Sequence, residues 1–199
     1  MGGDSNCGFR TVSGLLGKGK ENHNVVHQTL ILKLMVHREL YTRLYGKKEE
    51  SHKIHNALVP CVSGSVPVGK CVCFPKVGHL IVSAYDRVCI DLTRYGFSET
   101  FFQLWSRPSQ DPSGHIICIG YIRSLHFVRV YLKLGCPIPA TSVEWTTHFA
   151  KEAETWSDHF LEMMTEFTKL SELERESNRK KSKKEPVLDL SSDNSFGAF

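Results

Sequence analysis

Two apolar runs late in the chain, "HIICIGYI" and "HFVRVYLK", are separated only by "RSL". Both are rich in β-branched and aromatic residues, the composition of strands. A three-residue connection leaves no room for a crossover, so the two runs should pair as an antiparallel hairpin. That pairing puts a sheet in the second half of the chain.

The first half has a different period. Apolar residues at Phe9, Val12 and Leu15 or Leu16 precede Gly17, which predicts a short amphipathic helix opening at Cys7. Asn24 should cap a longer helix, "NVVHQTLILKLMVHRELYTRLYG", with Val26, Leu30, Leu34, Met35, Tyr41, Leu44 and Tyr45 on one broad face. "EESHKIHNALV" reads as a short polar helix halted by Pro60, residues 61–76 as loop with one short strand, and "VGHLIVSAYDRV" as another helix. "VCIDLT" and "FFQLWS" are then two further strands, and residues 107–114 the plainest loop. Helices first and strands later give an α+β fold, with helices packed on a small, mostly antiparallel sheet.

Beyond residue 135 a linker over 136–144 should lead to a single long amphipathic helix over 145–176. Phe149, Ala153, Trp156, Phe160, Met163, Phe167, Leu170 and Leu173 recur there at spacings of mostly four and three. Such a seam packs on its own domain or pairs with a second copy, and its Trp and Phe residues favour the domain. Residues 177–199, with "RKKSKKEP" and a Ser-rich end, read as a basic, disordered tail. The basic run serves equally as a nuclear import signal or a solvated linker.

With 199 residues the chain can bury one real core and carry a tail. Its net charge is +4, and residues 1–150 hold 17 basic against 10 acidic side chains. A moderately basic body suits an acidic partner but does not by itself point to nucleic acid. No apolar run approaches the ~18 residues of a membrane span. Seven cysteines, an odd number at uneven spacing, read as thiols of the cytosol or nucleus rather than a disulfide framework.

One of those thiols is singular in its placement. Cys7 stands where the polar loop Asp4-Ser5-Asn6 becomes a helix. A nucleophilic cysteine needs a favoured thiolate, a general base and donors for an oxyanion. A helix N-terminus supplies the first and third through its unpaired N–H groups. The base would be one of ten histidines, and His126 is the best placed because it opens the last strand of the hairpin. Rival constellations are weaker. Cys61, Cys71, Cys73 and Cys89 with His79 lack the second tight pair of a zinc site, His52 and His55 read as surface residues, and "GSVPVGKC" lacks the phosphate-loop pattern.

"DSNCGFR" resembles the D-G-N-C-x-F-R signature of the ovarian-tumour (OTU) family of cysteine proteases, most of them deubiquitinases. "VGHLIVSAYDRVCIDL" and "IICIGYI…HFVRV" are similar to stretches of OTU-like proteins in plant genomes, many associated with transposable elements. The resemblance covers roughly residues 4–135. It implies a papain-like α+β OTU domain over 1–135, hydrolysis of isopeptide bonds to ubiquitin, ubiquitin or ubiquitinated proteins as partners, and neither cofactor nor metal. Cys7 would be the nucleophile, His126 the general base and then acid, and Asp4 the third triad member. The turn at Ser5 and Asn6 would line the oxyanion hole. Three departures point to a catalytically inactive, protein-binding remnant as the alternative. Ser5 replaces the signature Gly and only three residues precede Asp4 where an N-terminal segment is usual; third, around the His, Leu125 stands where relatives often have a polar residue and Val128 where many members carry Asp or Asn.

Overall fold

The computed structural model describes residues 6–60, 74–93, 97–122 and 126–182. Among these, seven α-helices and four strands follow in order. They are α1 (Cys7–Leu15), α2 (His23–Val36), α3 (Arg38–Leu44), α4 (Lys48–Leu58), α5 (Phe74–Tyr85), β1 (Val88–Thr93), β2 (Glu99–Phe101), β3 (Ile116–Ile122), β4 (His126–Val130), α6 (Val143–His148) and α7 (Leu161–Ser182). The α+β class stands. Asp4, Ser5, Leu125 and most of the loop at 61–76 lie outside the described residues, as do residues 183–199 of the expected tail, whose first residues, 177–182, are instead the end of α7. Among the described residues no helix is long and apolar enough to cross a membrane.

The hairpin is formed. β3 and β4 pair antiparallel, with Ile122 opposite His126 and Cys118 opposite Val130. β1 lies on the other side of β3 and runs parallel to it, Ile90 opposite Cys118, while β2 pairs antiparallel with β1. The order is β2-β1-β3-β4, a mixed sheet in which two of three pairings are antiparallel. Val88, Cys89, Ile90 and Asp91 are all buried in succession, so β1 is covered on both faces. A strand buried on both sides reads as a continuous apolar run, which "VCI" does and Asp91 does not.

Two glycines let helices approach aromatic rings of the sheet closely. A Cβ on Gly78 of α5 would stand 2.6 Å from the Phe101 ring, and one on Gly8 of α1 would stand 3.2 Å from the Phe127 ring. Each lets a helix backbone press directly on an aromatic face.

Four expectations are corrected. The helix foreseen over 24–46 bends at His37 (φ −113°, ψ 35°) into α2 and α3. The bend lets Tyr41 meet Trp105 edge-on at 5.5 Å. "FFQLWS" is only partly a strand, since β2 begins at Glu99 and ends at Phe101. The carbonyls of Gln103, Leu104 and Ser106 instead accept from Trp145 Nε1 (2.9 Å), Ala150 N (2.7 Å) and Trp156 Nε1 (2.6 Å).

Those same bonds break the helix expected over 145–176. The segment is α6, short 3₁₀ turns at Lys151–Trp156 and Asp158–Phe160, and then α7, with Phe149 and Ala150 extended between the first two. Long-range partners outweigh local helix preference here. The supposed linker at 136–144 is also built in. Thr100 N–H donates to Ala140 O (2.9 Å), Ser142 N–H donates to Thr100 O (3.0 Å), and Ile138 is fully buried, so this stretch seals the open edge of β2. Trp145, Ala153, Trp156, Phe160 and Met164 join one hydrophobic core with Phe9 and Ile119, so residues 136–164 belong to the same unit as α1. Only the far end of the seam, Leu170 and Leu173, stays exposed.

Candidate active site

Cys7 is the first residue of α1 and half-buried, and Asn6 is its N-cap at φ −92°, ψ −3°. His126 is the first residue of β4 and exposed. The helix and strand are joined at these ends. The Thr11 hydroxyl, one turn after Cys7, lies 2.9 Å from the Cys7 carbonyl and 3.1 Å from the Phe127 carbonyl. Its single proton is shared between the two acceptors. With Gly8 against the Phe127 ring, the start of α1 is pressed onto the start of β4. The helix that opens with Cys7 and the strand that opens with His126 are thus packed together, although 119 positions separate the two residues in the chain; the β4 side chain against the start of α1 is that of Phe127, the neighbour of His126.

Helix geometry leaves the N–H groups of Cys7, Gly8 and Phe9 without intrahelical acceptors, while Arg10 N–H reaches Asn6 O at 2.8 Å. An N-cap Asn usually turns its side chain onto the second or third of these groups. Asn6 does not. Its Oδ1 lies 3.2 Å from Nε2 of His27 on α2, and His27 Nδ1 lies 2.6 Å from the Leu58 carbonyl at the end of α4. His27 is buried and its ring centroid is 3.7 Å from that of Phe9. Burial holds the imidazole below its ordinary range, the Leu58 carbonyl pulls the other way, and His23 adds to the lowering. Both hydrogen-bonding partners of the ring are acceptors, the Leu58 carbonyl and Asn6 Oδ1; with Nδ1 donating to Leu58 in the neutral ring, Nε2 accepts once the Asn6 amide is turned to present its NH₂.

Neither Thr11 nor His27 stands out in a sequence-based reading. Thr11 is an ordinary helical Thr, and only its place four residues after Cys7 hints that the two share a face. His27 carried a stronger signal. It falls with His23, Leu30 and Leu34 on one buried stripe, and a polar residue inside such a stripe must find partners.

Val128, two residues after His126, packs its Cγ2 toward Gly120 across the ladder and brings no polar group to that position. The other constellations lead elsewhere. Cys89 is fully buried on β1, its thiol pushed well up by burial. His79 Nε2 is engaged with Ser142 Oγ at 2.9 Å, and burial depresses its pKa to about 3. His52 Nε2 accepts from Arg38 Nη2 at 3.1 Å, in a cleft of about 240 Å³ that shares no lining residue with the Cys7 seam. Among the described residues no group of three or more His, Cys, Asp or Glu is arranged to hold a metal. No protein-family model and no curated protein matches the chain.

Proposed function

We propose that the chain is a thiol-dependent isopeptide hydrolase of OTU type, acting on ubiquitin conjugates in the cytosol or nucleus. What supports the reading is the seam, where the helix that opens with Cys7 packs on the strand that opens with His126 through the Thr11 hydroxyl and the Gly8–Phe127 contact. Cys7 Sγ attacks the isopeptide carbonyl as its proton passes to the His126 ring. The tetrahedral oxyanion is met by the free N–H groups at the start of α1. Collapse breaks the C–N bond, and His126 returns the proton to the departing lysine amine. Water, deprotonated by His126, then hydrolyses the thioester and frees Cys7. Asp4 orients the imidazole.

Hydrolysis of a fluorogenic ubiquitin amide is the test. Wild type should turn over, Cys7→Ala should fall to background, and His126→Ala should lose on the order of 10²- to 10⁴-fold. Activity that survives Cys7→Ala would end this assignment. Val128 favours a second reading, in which the same fold binds ubiquitin without cleaving it. That reading predicts binding unchanged by Cys7→Ala, with no turnover in either protein.

A further inference from the structure

An N-cap asparagine next to a nucleophile poses a conflict. Capping would stabilise the helix but would occupy the N–H groups that an oxyanion needs. The Asn6 amide is drawn instead toward α2, where His27 bridges it to the Leu58 carbonyl of α4. We propose that His27 is a positioning residue that holds the Asn6 side chain off the start of α1, leaving the N–H groups of its first turn uncapped for an oxyanion. Its catalytic meaning rests on the hydrolase reading, whereas the conformational part can be measured without it.

The geometry favours this role over simple core filling. A buried histidine needs a partner for its donor, which Leu58 supplies at 2.6 Å. The second bond, to Asn6 at 3.2 Å, reaches the residue that immediately precedes Cys7. Phe9 lies against the same imidazole, its ring tilted by 41°, so one ring contacts α1 on both sides of the thiol. Without the ring nitrogen, the Asn6 side chain is free to rotate and accept from Gly8 or Phe9 N–H as an ordinary cap.

Three variants of the full chain separate the possibilities. His27→Leu should cut turnover of the ubiquitin amide by about 10²-fold, as loss of an oxyanion donor does. It should also slow hydrogen exchange of the Gly8 and Phe9 amides about fivefold, the effect of a newly formed cap. Adding Asn6→Ala to His27→Leu removes the would-be cap and should restore most of the turnover and the fast exchange. A second deletion does not repair general damage to packing, so this recovery distinguishes positioning from structure. His27→Gln, which keeps an acceptor near the Nε2 position, should exchange like wild type and guards against a His27→Leu chain that fails to fold. If wild type is inert toward ubiquitin conjugates, the hydrolase reading fails and exchange alone decides the role of His27. Exchange at Gly8 and Phe9 unchanged in His27→Leu, or turnover no better in the double variant than in the single one, would overturn the proposal.

Discussion

The seam between α1 and β4 and the wrap of residues 136–164 around β2 are held by opposite means. In the wrap, Phe102 stacks on Trp156 and Phe160 at 5.9 and 5.2 Å and meets Trp145 edge-on at 5.6 Å. Both indole N–H groups end on backbone carbonyls. At the seam the Thr11 hydroxyl joins α1 to β4 beside the Gly8–Phe127 contact, and next to it the Asn6 amide and His27 imidazole tie the start of α1 to α2 and α4. Aromatic burial contributes several kcal/mol per side chain, whereas a neutral hydrogen bond contributes about 1. Stability therefore resides chiefly at the β2 edge, and the seam is left polar and adjustable where chemistry is proposed.

The largest expected effect lies in the wrap. Trp156→Ala should destabilise the fold by about 3–5 kcal/mol, measured by urea unfolding, while Cys7 in the remaining folded protein keeps its reactivity. A comparable loss of Cys7 reactivity in the folded fraction would mean that the two regions are not independent.

Asp91, in the centre of β1, gives an effect of comparable total size, but one spread over several pH units. Burial chiefly, and Glu99 secondarily, raise its carboxyl from 3.8 to about 7, and its Oδ1 finds no hydrogen-bond partner among the described residues. Between those values the folded state binds the proton more tightly than the unfolded one, so the stability Asp91 contributes is lost as pH rises from about 4 to 7. Asp91→Asn should therefore gain on wild type by about 1.4 kcal/mol per pH unit across that window and hold a constant lead above it. A difference independent of pH would show that the carboxyl is not held protonated.

Thr11→Val is the finest probe of the comparison. It removes the hydroxyl that ties α1 to β4 and should cost only about 1 kcal/mol of stability. Turnover should fall far more than that suggests, by on the order of tenfold or more, because the nucleophile and base lose their shared register. A fall no larger than the stability change predicts would make Thr11 an ordinary packing residue.

How legible this was follows the same division. The start of α1 showed in the spacing of Phe9 and Val12 and in Gly17, whose φ of 71° ends the helix. The hairpin showed in its short connection, and its inner faces pair as the pattern required. These are local signals. The bend at His37, the early end of β2 and the broken helix at 149–160 were hidden, because each depends on partners dozens of residues away. Trp145 and Trp156 looked like members of one helical seam, yet their indoles were committed to carbonyls at 103 and 106. Cys7 and His126 were legible as chemical types, but the Thr11 link between their elements was not, since a Thr in a helix carries no mark of what its hydroxyl will reach.

The central claim is that the α1–β4 seam makes Cys7 a nucleophile directed at ubiquitin's C-terminus. Incubation with ubiquitin carrying a C-terminal thiol-reactive electrophile, followed by mass-spectrometric mapping of the adduct, tests it most directly. A single adduct on Cys7 is predicted, absent in Cys7→Ala and slower to form in His126→Ala. No adduct, or one on Cys136 or another cysteine instead, would contradict the account.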